Sequence, residues 1–508
     1  MPDPQIDSHP VLTLEETRAF EGALFGGDER KEWAAMKRAG RAIAQAILED
    51  SAEIGGFPEE ARLLVVAGKG NNAGDALIAA RAILERLPRA SADFQFVFGP
   101  RKLRSLATRA WREISIACPG RVRSVGDKDL RPAYDLCIGG IFGYQFRPPL
   151  PAEALAAIAA AGRSRIAFRA AVDLPSGLDE PGAYRADFTY ATGSVKHPSL
   201  GSPNAGRLRY LDLGFFPEGA GQGIDTAGAD RVILPSVLRP LAGLRPASSD
   251  KRSLGHLAIV GGSLRYPGSV LMATLAALRS GVGLVTSFVP ESLVASFAAR
   301  APEAMWVGLP VTEDGDLALR GLDRALEGLE RATAIAMGPG LGKAPEPHAL
   351  IKDLVSASSV PLVIDADGLQ PDLVRSGTAQ RILTPHTGEL KRISGGLELV
   401  PLAASIPAVV IAKGPVTRVT AGKEVYYSLH GGPVLSRGGS GDILAGLAGG
   451  LLAQAPQDPL LAACRAAVWH GMAADGLARA RGQAAVSTTQ LLDFLGPALR
   501  DLAACPSS

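Results

Sequence analysis

Residues 433–450 read PVLSRGGSGDILAGLAGG. Glycines crowd the middle, and one acid, Asp442, stands where they give way to an Ile-Leu-Ala run of helical character. A helix N-terminus carries partial positive charge and N–H groups without intrahelical partners. Asp442 is therefore open to two readings. It is an N-cap, or the glycines hold a phosphate and the acid takes a proton beside it.

Working outward, short apolar runs end repeatedly in glycine or polar loops. In the second half the strand candidates are GHLAIVGGS (255–263), AIAMGPGLG (334–342), PLVIDADGL (361–369), AVVIAKGP (408–415) and EVYYSL (424–429). LMATLAALRSG and LLAACRAAVWHGMAADGLARA read as helices. In the first half ARLLVVAG, FQFVFG, YDLCIGGIFG and RIAFRAAVDLPSG read as strands, and NNAGDALIAARAIL as a helix. Trp33, Met36, Gly40, Ile43 and Ile47 share one face of an earlier helix. Such alternation predicts an α/β chain with parallel sheets covered by helices. The glycine-rich stretch FPEGAGQGIDTAGADR (216–231) is the expected seam, giving domains 1–225 and 226–508.

Composition narrows the function classes. Lys+Arg 53 against Asp+Glu 51 leaves no basic face for nucleic acid. Four cysteines, Cys118, Cys137, Cys464 and Cys505, form no CxxC pair, so neither zinc nor a disulfide framework is expected, and a reducing cytoplasm fits. No apolar run is long enough to span a bilayer and the start has no signal pattern, so no membrane partner is expected.

Four stretches of the second half put polar or glycine residues at expected strand ends, where α/β sheets bind ligands, and a fifth at a helix start completes the set. They are MGPGLG (337–342), VIDADGL (363–369) with Asp365 and Asp367, LTPHTGEL (383–390) with His386 and Glu389, KGP (413–415), and GGSGD (438–442). Singly, each has a plain structural reading: a turn, a cap, a surface charge. Together and in this order they supply what phosphoryl transfer needs, namely N–H groups around a phosphate, oxygen ligands for a metal, and a base for the attacking hydroxyl. Gly439, Ser440 and Gly441 offer the N–H groups and Asp442 the base; Glu389, with Asp365 or Asp367, is the candidate magnesium ligand.

This order of motifs, with Gly261-Gly262-Ser263 ahead of it, resembles the ribokinase-like superfamily and, within it, the NAD(P)H-hydrate dehydratases. The resemblance implies a ribokinase-like three-layer domain that phosphorylates the ring hydroxyl of the S hydrate of NADH or NADPH. Phosphate then leaves and the nicotinamide is restored, with ADP as donor, ATP being the alternative. It implies that Asp442 is catalytic. It further implies that Ser269, Gly340 and His386 contact the hydrate, and that Lys413, Gly414, Pro415, Val416 and Thr417, with Gly441, contact the nucleotide.

In the first half, VVAGKGNNAGDALIAARAI (65–83) and VDLPSGLDEPG (172–182) resemble the NAD(P)H-hydrate epimerases, which interconvert the R and S hydrates on a Rossmann-like three-layer fold. The resemblance implies that Asn71, Asn72, Asp75 and Asp173 bind the hydrate and that Asn72 and Ser176 hold potassium. The chain departs from the family at several points. AGDA replaces GGDG, so Ala76 is expected to crowd the ligand pocket. GGIFG replaces a DALFG-like stretch, so Gly139 stands where the family has an acid ligand to potassium. Lys37 and Arg38 replace an acid and an amide in the first helix. These changes leave two readings of the N-terminal domain: an epimerase, weakened or not, and a non-catalytic binding module. For the second half the alternative is a ribokinase-like kinase whose product keeps its phosphate. Assembly into a homo-oligomer is expected by analogy with ribokinase-like proteins.

Overall fold

The computed structural model describes residues 6–216 and 228–504. The expected domain boundary at residue 225 and Cys505 lie outside the described residues. The chain forms two compact units, one built on His9–Ala229 and one on Asp230–Leu477 with Gln483–Ser507.

The N-terminal unit is organised on the strand Arg62–Ala67, whose apolar residues Leu63–Ala67 are all buried. A parallel strand covered on both faces reads as such an unbroken apolar run. Its neighbours are Ser91–Phe96 on one side and Ala133–Gly140 on the other. Val122–Val125 extends the first side, and Arg165–Val172, Phe188–Thr192 and Arg207–Leu211 extend the second, every pairing parallel. Two expectations shift. The strand read at FQFVFG is Ser91–Phe96, because the chain turns at Gly99 (φ 81°), whose N–H bonds the Phe96 carbonyl. Phe188–Thr192 was not read as a strand, since glycine and polar residues surround its short apolar stretch.

The helix Asn71–Arg86 follows the central strand, and Glu29–Ser51 packs on it. Asp28 caps the latter by accepting from the N–H groups of Arg30 and Lys31. The two helices approach closely at Gly40, where a Cβ would lie 2.6 Å from Ile78 Cβ, and at Gly74, where one would lie 2.4 Å from Met36 Sδ.

In the C-terminal unit the strand His256–Val260 plays the central part. Leu284–Pro290 and Met305–Leu309 lie to one side; Ala334–Met337, Leu362–Ile364, Arg381–Leu383 and Ala408–Ala412 lie to the other, all parallel. Thr417–Thr420 and Tyr426–Ser428 continue the sheet antiparallel, and Arg231–Ile233 pairs with the latter. Leu284–Pro290 escaped the sequence reading because Thr286 and Ser287 interrupt its apolar run. Both are buried and satisfied, Thr286 Oγ1 at 2.8 Å from His256 Nε2 and Ser287 Oγ at 2.8 Å from Thr274 Oγ1.

In both sheets the chain leaves a central strand in one direction and returns on its other side. That creates a switch point where the flanking loops part, the usual ligand position in such sheets. The loops at the two switch points are 68–72 with 141–144, and 261–269 with 338–342.

The helix Ser440–Gln454 is buried from Asp442 to Ala453 because it lies against the sheet on one side and the helix Pro267–Arg279 on the other. Glycines permit this. A Cβ on Gly446 would lie 2.1 Å from the Ala273 carbonyl oxygen, one on Gly450 2.0 Å from Ser280 Oγ, and one on Gly449 3.1 Å from Leu257. Overpacking a filled interior costs about 1–3 kcal/mol. Gly446→Ala is therefore expected to destabilise the C-terminal unit by roughly that amount or more, read as a lower thermal midpoint; an unchanged midpoint would contradict the contact.

Candidate functional site

In the C-terminal unit Gly439, at φ 92°, is the N-cap of the helix Ser440–Gln454, and Asp442 is its third residue. The N-cap reading of Asp442 is thereby corrected: a residue in the left-handed region is needed to turn the chain into the helix, and glycine takes that place. The first intrahelical bond is made by the Ile443 N–H to the Gly439 carbonyl at 3.1 Å. The N–H groups of Gly441 and Asp442 precede it and face the helix mouth. Ser440 Oγ donates to the Leu435 carbonyl at 2.7 Å and its N–H to the Arg437 carbonyl at 3.4 Å, so both of its donors are engaged within the loop and the expected anion-binding N–H groups are those around it.

Around Asp442 the switch-point loops converge. Its carboxylate accepts a hydrogen bond from Ser269, in the first turn of Pro267–Arg279. Gly340, at φ 68°, lies so close that a Cβ there would be 3.1 Å from Ser269 Cβ and 2.5 Å from the Tyr266 carbonyl oxygen. Lys413, at the end of Ala408–Ala412, donates to Asp365 Oδ1 at 3.0 Å and lies 3.9 Å from Glu389 Oε2. Thr384 Oγ1 donates to the same Asp365 oxygen at 2.5 Å. Lys413 Nζ also reaches Gly441, 3.1 Å from where a Cβ would stand. Gly414–Val416 form the loop into the antiparallel strand that Thr417 opens.

The electrostatics follow from burial. Desolvation, then the charge of Asp365, pushes the Asp442 carboxyl up to about 6, against the hydrogen bond from Ser269 and the Lys413 charge. Burial pulls Lys413 down, but Asp365 and Glu389 outweigh it and its pKa rises. Asp367 is raised by burial, partly offset by the Gly342 N–H that its Oδ2 accepts at 3.0 Å.

His386 is the N-cap of Thr387–Ser394: its Nδ1 accepts from the N–H groups of Gly388 and Glu389 at 3.0 and 3.3 Å. Glu389 Oε2 accepts in return from the His386 N–H at 2.8 Å. Among the described residues no three His, Cys, Asp or Glu side chains converge to hold a metal by themselves. Magnesium is commonly held by one or two carboxylates, phosphate oxygens and water. Glu389 and Asp367 each accept one backbone N–H and suit that mode through their other oxygen, whereas Asp365 is engaged by the Lys413 charge and by Thr384.

In the N-terminal unit a cavity of about 940 Å³ opens at the switch point, lined by Asn71, Asn72, Asp75 and Asp173 among others. Asn71 starts the helix Asn71–Arg86. Asp173 adopts φ 64°, unusual for a side-chain-bearing residue. Burial, then the charges of Asp173 and Glu21, holds Asp75 well above the ordinary carboxylate range. Glu21 is raised by burial, and Tyr144 donates to it at 2.8 Å.

Two family models match the chain: NAD(P)H-hydrate dehydratase over residues 257–496 and YjeF-related protein N-terminus over residues 33–197. A Gloeobacter violaceus protein described as a bifunctional NAD(P)H-hydrate repair enzyme is 37% identical, covering 91% of this chain and 92% of its own. The chain belongs to the bifunctional NAD(P)H-hydrate repair enzymes. A Moorella thermoacetica protein of the same description is 34% identical over 92% of each chain. The ADP/ATP-dependent NAD(P)H-hydrate dehydratase from Bacillus subtilis, co-crystallized with ATP and Mg²⁺, is 27% identical, covering 51% of this chain and 93% of that one, at a TM-score of 0.44. Membership disfavours the kinase reading of the C-terminal half.

Seen in this repair-enzyme fold, two expected disturbances fall away. Ala76 is fully buried against the sheet and is not among the residues lining the cavity: a Cβ at Gly140 would lie 2.7 Å from Ala76 Cβ and from the Asn72 carbonyl oxygen. Lys37 and Arg38 lie over the rings of Trp33 and Phe215, at 5.9 and 5.5 Å, outside that lining. The sequence reading missed Lys196, fully buried and ion-paired with Asp173, its Nζ also donating to the Thr192 and Ser194 carbonyls. The clue was a lysine inside GSVKHP, next to a strand, where a surface charge is not expected. Thr384, which steadies Asp365, was also missed.

Lys413 holds Asp442 down, so its loss must raise Asp442 further. In Lys413→Met the Asp442 carboxyl is expected to titrate above about 6. The ¹³C carboxyl shift, assigned by difference from Asp442→Asn, reads it; an unchanged or lower midpoint would refute the coupling.

Proposed function

We propose that the C-terminal unit dehydrates the S epimers of NADH hydrate and NADPH hydrate with ADP as phosphoryl donor, ATP being the alternative. The N-terminal unit interconverts the R and S epimers so that both drain through one exit. The observation that carries this reading is Asp442, buried and raised to about 6 at the mouth of a glycine-rich helix, facing Lys413 and Ser269.

The hydrate's hydroxyl-bearing ring sits against Gly340, Ser269 and His386. As its oxygen takes the phosphoryl group from ADP, releasing AMP, its proton passes to Asp442. Phosphate then departs with the electrons of its C–O bond, a proton leaves the neighbouring ring carbon, and the double bond is restored. Gly439 and Gly441 turn N–H groups toward the moving phosphate, and Ser440 holds the loop between them. Lys413, with Gly414–Thr417, holds the nucleotide. Magnesium, when bound with it, neutralises phosphate charge, Glu389 and Asp367 serving it through water. In the N-terminal unit Asn71, Asn72, Asp75 and Asp173 hold the hydrate, and Lys196 fixes Asp173. The setting is cytoplasmic, with like subunits assembled. Buried free thiols at Cys118, Cys137 and Cys464 suit a reducing compartment.

A mixture of epimers with magnesium and ADP or ATP tests this by recovery of reduced-nicotinamide absorbance and chromatography. A general base contributes about two to four powers of ten. Asp442→Asn is expected to lose at least ~100-fold in turnover while still binding nucleotide; near-normal turnover would sink the assignment. A base must be ionised to act. In the native chain kcat/KM should therefore fall as pH drops through about 6, and a flat profile there would count against Asp442.

A further inference from the structure

The resemblance to the epimerases implies a potassium ion held by Asn72 and Ser176 together with an acid at position 139. The residues present do not fit one. A hard cation needs a shell of oxygens whose lone pairs are free to face it. Here those oxygens are engaged. Asn72 turns its amide nitrogen, not its oxygen, between the carbonyls of Val172 and Phe142, at 2.9 and 3.2 Å. Ser176 Oγ accepts from the N–H groups of Ile141 and Phe142 at 3.2 and 3.0 Å and lies 3.3 Å from the Phe142 carbonyl oxygen. The Ser176 carbonyl accepts from the Tyr184 N–H at 2.9 Å.

The missing carboxylate has also lost its room. A Cβ on Gly139 would lie 2.8 Å from carbons of the Tyr184 ring. That ring is buried and pinned, its hydroxyl donating to the Cys137 carbonyl at 3.1 Å. A cation placed here would break several made hydrogen bonds and find no carboxylate at position 139 to balance it. The nearby positive charge is instead covalent, on Lys196 beside Asp173.

We infer that the N-terminal unit ties its two switch-point loops together without an alkali cation, the Asn72 amide, the Ser176 hydroxyl and the Tyr184 ring taking over the ion's role. The inference leans on the proposed function only for the ligand the loops would hold.

Hydrogen exchange of the full chain, read on segments 137–146 and 170–186 in potassium, sodium or choline chloride at equal ionic strength, tests it. Exchange is expected to be the same in all three salts. Protection specific to potassium in the native chain overturns the inference. The reverse experiment is Gly139→Asp with Tyr184→Ser, its fold checked by native exchange elsewhere in the unit. This variant is expected to gain potassium-specific protection; an ion at a hundred times its dissociation constant slows exchange about 100-fold. A folded variant that gains none also overturns the inference, because the lost carboxylate would then not be the cause. Epimer interconversion in the same salts separates the two claims. Interconversion that rises with potassium refutes the cation-free site. Its absence in every salt, with exchange unchanged, refutes the epimerase reading and leaves the cation-free loops standing.

Discussion

The close approach of two helices in the C-terminal unit governs its chemistry. Gly446 meets the Ala273 carbonyl and Gly450 meets Ala277 and Ser280. One turn before Gly446 comes Asp442, and one turn before Ala273 comes Ser269. The contacts therefore repeat every four residues along both helices, and the last of them is the hydrogen bond from Ser269 to the Asp442 carboxylate. Side chains at the glycines would separate the helices along their length. The helix mouth, the carboxylate and the loop carrying Gly340 are brought to one point by backbone packing well inside the unit.

Charge balance then sets what the point can do. One half-buried lysine, Lys413, serves Asp365 and lies near Glu389 and Asp442. Its charge opposes the burial that raises the Asp442 carboxyl. Asp365 takes the direct bond, and burial together with the Asp365 charge places the protonation change of Asp442 at about 6. The N-terminal unit follows the same economy, with one buried lysine, Lys196, against Asp173 and the raised carboxyls of Asp75 and Glu21.

Much of this was legible because glycine and polar residues ended apolar runs at regular intervals. A parallel sheet must put its ligand loops at those ends. GPGLG, DADGL and KGP were readable as strand-end loops for that reason, and GGSGD as the glycine-rich start of a helix. What stayed hidden were relations between distant residues. Thr286 and Ser287 look like loop residues until His256 and Thr274 satisfy them across the sheet. Lys196 looks like a surface charge until Asp173 stands beside it. Ala76 looks like an obstruction because a sequence shows the added methyl but not the direction it takes. No local pattern encodes Tyr184 lying over Gly139, since 45 residues of chain separate them.

The contact between Ala76 and Gly140 bears on how such a site can change over time. The resembled family carries glycine on the helix and alanine on the strand; this chain carries the reverse. An alanine at both positions would bring two methyl carbons within 2.7 Å, an arrangement a filled interior does not tolerate. Glycine at both leaves only a small void, at lower cost. The two substitutions are thus epistatic, and one order of events is open: the strand loses its methyl first, and the helix gains one afterwards. Packing inside the fold gives this lineage a direction of travel that neither position has alone.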